Sequence, residues 1–152
     1  MTRRGGSGAR DDGFTLIELL VVVAIVGIIV AIAIPALQFA LDRSKQRATL
    51  SDMRQLGNAL MQYYLDNSYY PNGSLTASAL LPHLVMYGGG PYPSQDRWGH
   101  DYGYSSDQKY YYSLESFGAD GLDGAEIDYG TRNDFDLDLL HATGQFSASP
   151  EP

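Results

Sequence analysis

The 152-residue chain has no cysteine, so no disulfide closes any part of it and its stability must come from packing or a metal. It also lacks a serine or cysteine nucleophile signature, a phosphate loop and a dinucleotide fingerprint, and these absences argue against an enzyme. Its histidines, His83, His100 and His141, show no paired metal-ligand spacing and read as solvated or capping residues. Positive charge is scarce: 10 Lys and Arg face 18 Asp and Glu, for a net charge of -8. That balance argues against a phosphate-binding surface, and no nucleic acid is expected as a partner. Charge of either sign is missing from Leu19 to Leu41.

That uncharged stretch is apolar without a break from Leu19 to Ile34 and then meets Pro35. At about 1.5 Å per residue it is long enough to cross a hydrocarbon core of roughly 30 Å, so it reads as a membrane helix. Glu18 stands at its lip with no basic residue near it in sequence, and a carboxylate there needs a partner. Gly27 and Pro35 interrupt the run; a proline removes one helical hydrogen bond and marks a kink or a place where the helix can melt.

The stretch Gly13-Phe14-Thr15-Leu16-Ile17-Glu18, continuing to Ala33-Ile34-Pro35, resembles the class III signal of type IV pilins and type II secretion pseudopilins. The resemblance implies that a prepilin peptidase cuts after Gly13 and methylates the new N-terminal Phe14. It also implies that Glu18 of one subunit pairs with the Phe14 ammonium of another during assembly, and that Pro35 accompanies local unwinding in a filament. Residues 1–13 then form a cleaved cytoplasmic leader carrying Arg3, Arg4 and Arg10, with Asp11 and Asp12 where the family usually has basic or polar residues. The N-terminus is assigned to the cytoplasm by this resemblance, since Arg43, Lys45, Arg47 and Arg54 follow the other end of the span.

Past Leu41 the chain turns amphipathic. Met53, Leu56, Leu60 and Tyr63 or Tyr64 recur at helical spacing, with Arg54, Gln55, Asn58 and Gln62 between them, and this stripe is expected to pack on a sheet. Asn67-Ser68 and Pro71-Asn72-Gly73 supply the stop. A short second helix is expected over 75–84, capped by Ser74 or Thr76. A Gly-Pro-rich loop follows at 87–93, and a strand at 110–114. Arg97-Trp98-Gly99-His100-Asp101-Tyr102 resembles the Trp-Gly strand-turn of major pseudopilins, with Arg97 where that family more often has proline.

From Glu115 to Asp138 there are eight carboxylates against Arg132 alone, a local net of -7. Such a region is either a cation site or a solvated acidic loop. Ser116-Phe117-Gly118-Ala119-Asp120-Gly121-Leu122-Asp123-Gly124, with Asp134-Phe135-Asp136-Leu137 after it, resembles the calcium loop of the major pseudopilin. The resemblance makes Asp120, Asp134 and Asp136 the carboxylate ligands of a Ca2+ ion, with carbonyls near Phe117 and Leu122 as further ligands. The insert 125–129 is longer and more acidic than the family pattern, so Asp123 or Asp128 is an alternative to one late aspartate. Leu122 and Gly124 fall where an EF-hand needs oxygen ligands, which excludes that motif.

The fold class expected is α+β: a long N-terminal transmembrane and amphipathic helix packed on a small antiparallel sheet, with a C-terminal calcium-type loop. The divisions expected are the leader 1–13, the membrane half of the helix 14–41, its amphipathic half 42–67, a periplasmic domain 68–146 with the acidic loop 115–138, and a tail 147–152. The function implied by resemblance is a structural subunit of a pseudopilus that polymerises from the bacterial inner membrane into the periplasm and drives type II secretion. Its implied partners are further copies of the chain, minor pseudopilins, the inner-membrane assembly platform and the prepilin peptidase. The alternatives are a type IV pilin for motility, adhesion or DNA uptake, and a membrane-anchored calcium-binding domain that never polymerises.

Overall fold

The computed structural model describes residues 13–87, 89–124 and 134–149. The leader up to Asp12, the acidic insert with Asp128, and the last three residues lie outside the described residues. The dominant element is helix α1, Leu16–Asn67. Contacts divide the chain into one unit that ends at Gln38 and a second that begins at Phe39.

In the first unit the helix is apolar and exposed, from Leu16 through Ile34 to Leu37. It passes through Pro35 without an interruption of helical structure. This stretch of α1 is long and apolar enough to cross a membrane.

In the second unit the amphipathic half of α1 buries Gln46, Thr49, Leu50, Asp52, Met53, Leu56, Gly57, Ala59 and Leu60. These positions recur every three or four residues and form a single stripe. The expected anchors Met53, Leu56 and Leu60 are fully buried, and Tyr63 and Tyr64 pack at the margin of the core. Each such aliphatic side chain contributes about 1.5–3 kcal/mol by leaving water. The helix ends at Asn67, where Ser68 takes a left-handed φ of 64° and donates its N–H to Tyr64 O at 2.7 Å.

The stripe covers a five-stranded antiparallel sheet in the order β1-β2-β3-β4-β5. The strands are β1 Leu75–Thr76, β2 Gly103–Ser106, β3 Tyr112–Ser116, β4 Leu139–Ala142 and β5 Gln145–Ala148. Alternation along β3 turns Tyr112, Leu114 and Ser116 inward and leaves Ser113 and Glu115 half-buried. Tyr102, Tyr104 and Tyr112 supply much of the core's bulk; burial pushes the phenols of Tyr104 and Tyr112 up to about 12, so they stay neutral.

Three local expectations are corrected. The second helix, α2, is Ala77–Leu84, because Leu75 and Thr76 pair with Tyr104 and Gly103 as β1 before the helix starts. Thr76 occupies the N-cap position without a side-chain capping bond. The strand expected at 110–114 begins at Tyr112, since Asp107 Oδ1 accepts the N–H groups of Lys109, Tyr110 and Tyr111 at 3.0, 2.9 and 2.8 Å and holds both tyrosines in the turn. Residues 147 and 148, assigned to the tail, belong to β5. That strand returns from β4 through Thr143 and Gly144, with φ of 47° and 87°, the left-handed pair that a two-residue hairpin demands.

Candidate functional site

At the N-terminal end of α1 the sequence Thr15-Leu16-Ile17-Glu18 builds a reciprocal cap. Glu18 Oε2 accepts the Thr15 N–H at 2.9 Å and the Thr15 hydroxyl at 2.6 Å, and the Glu18 N–H donates to Thr15 Oγ1 at 3.3 Å. A threonine followed three residues later by glutamate is the capping-box pattern, legible in the sequence and not used there. The Glu18 carboxylate therefore has a partner within its own chain, one residue from the Phe14 position. Gly13 has nothing within 4 Å of a Cβ placed on it.

In the acidic loop, Asp120 Oδ1 accepts the Leu122 N–H at 3.0 Å and Asp134 Oδ1 accepts the Asp136 N–H at 3.3 Å. Asp120, Asp134 and Asp136 are all exposed. Two arms of the loop meet at Gly118, whose φ is 62° and whose added Cβ would stand 2.7 Å from Phe135 O. Beside it, the Ala119 N–H donates to Phe135 O at 2.7 Å, and the Gly121 N–H to Phe117 O at 3.1 Å. Only glycine combines that left-handed backbone with so close an approach.

Among the described residues, the acidic groups that the structure brings together are Glu115, Asp123 and Asp138, each offering a carboxylate oxygen within 4.8 Å of the others. Oxygens bound to a calcium ion at about 2.3–2.6 Å lie no more than roughly 5 Å apart, so spacing and donor chemistry both fit a hard divalent cation. Asp138 is fully buried and its Oδ2 accepts the Gly124 N–H at 2.8 Å, which draws the Asp123–Gly124 arm toward the sheet. Of the three, Asp123 is the alternative ligand that the sequence offers, while Glu115 and Asp138 stand there only as carboxylates of the acidic stretch. Their proximity follows from β4: Ser116 pairs with Leu139, so Asp138 lies one step beyond, beside the start of the loop. Without that strand in hand, sequence separation hides the pair.

A turn at Asp96–His100 stands against the loop. Asp96 Oδ1 accepts the N–H groups of Trp98, Gly99 and His100, each at 2.9 Å, and Asp96 Oδ2 accepts the Ser116 hydroxyl at 2.8 Å. His100 Nδ1 donates to Gly118 O at 3.0 Å, so His100 is a structural donor to the loop. His141 departs from the solvated reading altogether. It is buried beneath Gly57 with Tyr112 Oη 3.3 Å from its Nδ1, and burial, reinforced by the Arg54 charge, pushes its pKa down to about 4.

The family described as Type II secretion system (T2SS), protein G matches residues 37–133, and the prokaryotic N-terminal methylation motif matches residues 8–34. The chain belongs to the type II secretion system protein G family. Among its relatives, the Type II secretion system core protein G of Pectobacterium carotovorum is 34% identical over 85% of this chain and 89% of the relative. The proteins of the same name from Vibrio cholerae and Pseudomonas aeruginosa are 36% and 33% identical, over 77% and 84% of this chain and 86% and 94% of their own lengths. The pseudopilin resemblance of Gly13 to Pro35 and the α+β pilin-like arrangement are thereby established together. The apolar helix and the methylation motif identify a membrane-anchored member of the family.

Proposed function

We propose that this chain is the major pseudopilin of its secretion system, cut after Gly13, methylated on Phe14 and polymerised from the inner membrane into a periplasmic filament. The observation that carries this reading is the contrast within α1, whose first half exposes an unbroken apolar surface while its second half is buried by its own sheet. In the membrane, lipid covers the first half; in a filament, the equivalent helices of other copies cover it. Its role is mechanical, and growth of the filament pushes exported proteins toward an outer-membrane channel.

Gly13 lets the peptidase approach the backbone at the cut. Glu18, already capping its own helix, becomes the counter-charge for a Phe14 ammonium in the bundle. Pro35 supplies the point at which α1 yields as the helix moves from lipid to filament. The direct test is the mass of the membrane-extracted protein: residues 14–152 with one added methyl group supports the reading, and the full 152-residue mass in cells carrying the peptidase rejects it.

The acidic cluster supports a bound Ca2+ held by Glu115, Asp123 and Asp138, with Asp120, Asp134, Asp136 and the carbonyls of Phe117 and Leu122 as the outer candidates on the same loop. A bound cation would neutralise carboxylates that otherwise repel and would cross-link two arms that no disulfide joins. Saturation at a hundredfold the dissociation constant stabilises by about 2.7 kcal/mol. Melts of the full chain in detergent with calcium, magnesium or chelator decide it. A rise specific to calcium supports the site, and three superimposed curves leave a solvated loop.

A further inference from the structure

We propose that Arg97 is the positioning residue of the cation cluster, tying the Asp96–His100 turn to α1 and, through that turn, holding both arms of the cluster in place. This rests on the reading of Glu115, Asp123 and Asp138 as a cation site.

Arg97 meets both oxygens of one carboxylate: Nη2 donates to Asp52 Oδ1 at 3.0 Å, and Nε stands 2.8 Å from Asp52 Oδ2 as an ion-pair contact. A two-point guanidinium–carboxylate contact fixes direction as well as distance, which a lysine does not reproduce. The Asp52 side chain is 7% exposed against 50% for Arg97, so the anchor is the buried partner and the arginine reaches in from the surface. The Arg97 N–H also donates to Thr49 Oγ1 at 3.2 Å. The turn is therefore joined to α1 at two points, Thr49 and Asp52, three residues apart on one face of the helix.

From this anchor, bonds run to each arm of the cluster. Toward β3, Asp96 accepts the Ser116 hydroxyl, and Ser116 follows Glu115 directly. Toward the loop, His100 donates to Gly118 O and packs so tightly on Gly121 that an added Cβ there would stand 2.6 Å from its Nε2. Gly118 and Gly121 lead into Asp123. Cation and turn thus act on the same two arms: the cation draws Glu115 and Asp123 together, and the turn fixes where each must be for that to happen. A proline at 97 would have no N–H for Thr49 and no charge for Asp52. It stiffens the turn without linking it to the helix.

The coupling is read with the processed full-length chain in detergent, titrated with calcium chloride by calorimetry and melted in calcium and in chelator. Arg97→Ala and Asp52→Asn are each expected to weaken calcium binding by about fivefold or more, the lower end of typical coupling between linked sites. The double variant is expected to be no weaker than the worse single one, because both remove one shared contact. Arg97→Lys, which keeps the charge but not the fork, is expected to recover part of the loss. Should Arg97→Ala fail to fold, Arg97→Lys and Asp52→Asn carry the test. A merely structural role gives a different pattern: Tm falls equally in calcium and in chelator while calcium affinity stays at the wild-type value, and that overturns the proposal alone. If the wild-type chain takes up no calcium and melts identically in chelator, the cation site itself falls and this inference falls with it.

Discussion

The two glycines of α1 sit in one helix and in two different worlds. A Cβ added to Gly27 meets nothing within 4 Å, whereas one added to Gly57 runs into the His141 ring and stands 3.0 Å from Tyr112 Oη. The same contrast extends to the apolar stripes that flank them. Val22, Ile25 and Ile29 are exposed, while Met53, Leu56 and Leu60 are fully buried. The second half of α1 is thus a core element of its own domain. The first half, by contrast, leaves its packing partners to lipid or to other copies of the chain. Stability of the monomer and competence to assemble are written into different halves of one element, and substitutions should separate them.

The largest effect is expected before either half comes into play. Gly13→Val places a branched side chain at the cut, so the precursor should accumulate in full; mature-length protein by intact mass would refute the role given to Gly13. Next comes Leu56→Ala, which opens a cavity in the buried half and should cost about 2–5 kcal/mol in denaturant melts of the detergent-solubilised chain. Val22→Ala, in the exposed half, should leave the same melt unmoved. Equal losses from the two would mean that the halves are not energetically distinct.

His141 sharpens the contrast by pH. Its pKa is about 4 in the folded chain against an ordinary value of 6.5, so between those values the unfolded chain binds the extra proton. Its contribution to stability is therefore complete above about pH 6.5 and is lost as pH falls through 4, on the order of 3 kcal/mol in all. His141→Gln should remove that part of the pH dependence, measured as the difference between variant and wild-type unfolding free energies at pH 7 and pH 5. A constant difference would contradict the buried, neutral imidazole. Gly57→Ala should cost about 1–2 kcal/mol, since the ring it strikes has little room to move and the gain in helix propensity offsets only part of the strain. Gly27→Ala should leave the monomer's melt where it is.

The helix was the most legible part of the molecule because its signals are local. An unbroken apolar run, a stripe at helical spacing and a stop at Asn67-Ser68 each lie within a few turns, and the structure has all three. The sheet was legible only where a strand carried aromatics. The sequence starts β3 two residues early because Tyr110 and Tyr111 look like strand while Asp107 holds them in a turn. β4 and β5 escaped because Leu139 to Ala148 is short and mixed, although Thr143-Gly144 was a usable hairpin signal. The consequence reached the candidate cation site. Asp120 and Asp123 belong to a motif readable in sequence, but Glu115 and Asp138 meet only because β3 pairs with β4, and no spacing rule encodes that pairing. His141 reads as solvated or capping in the sequence for the same reason, because the strand that buries it carries no local signal.

The central claim, that the exposed half of α1 finds its partners in further copies of the chain, is tested most directly by electron microscopy of the processed protein concentrated from detergent, comparing wild type with Glu18→Ala. Removing the carboxylate costs the monomer little beyond its helix cap, so both proteins should be present at equal levels in membranes. The account predicts abundant filaments from the wild type and few from Glu18→Ala. Filaments in equal yield from the two would contradict the pairing of Glu18 with Phe14, and a processed wild type that stays monomeric at every concentration would contradict the assembly itself.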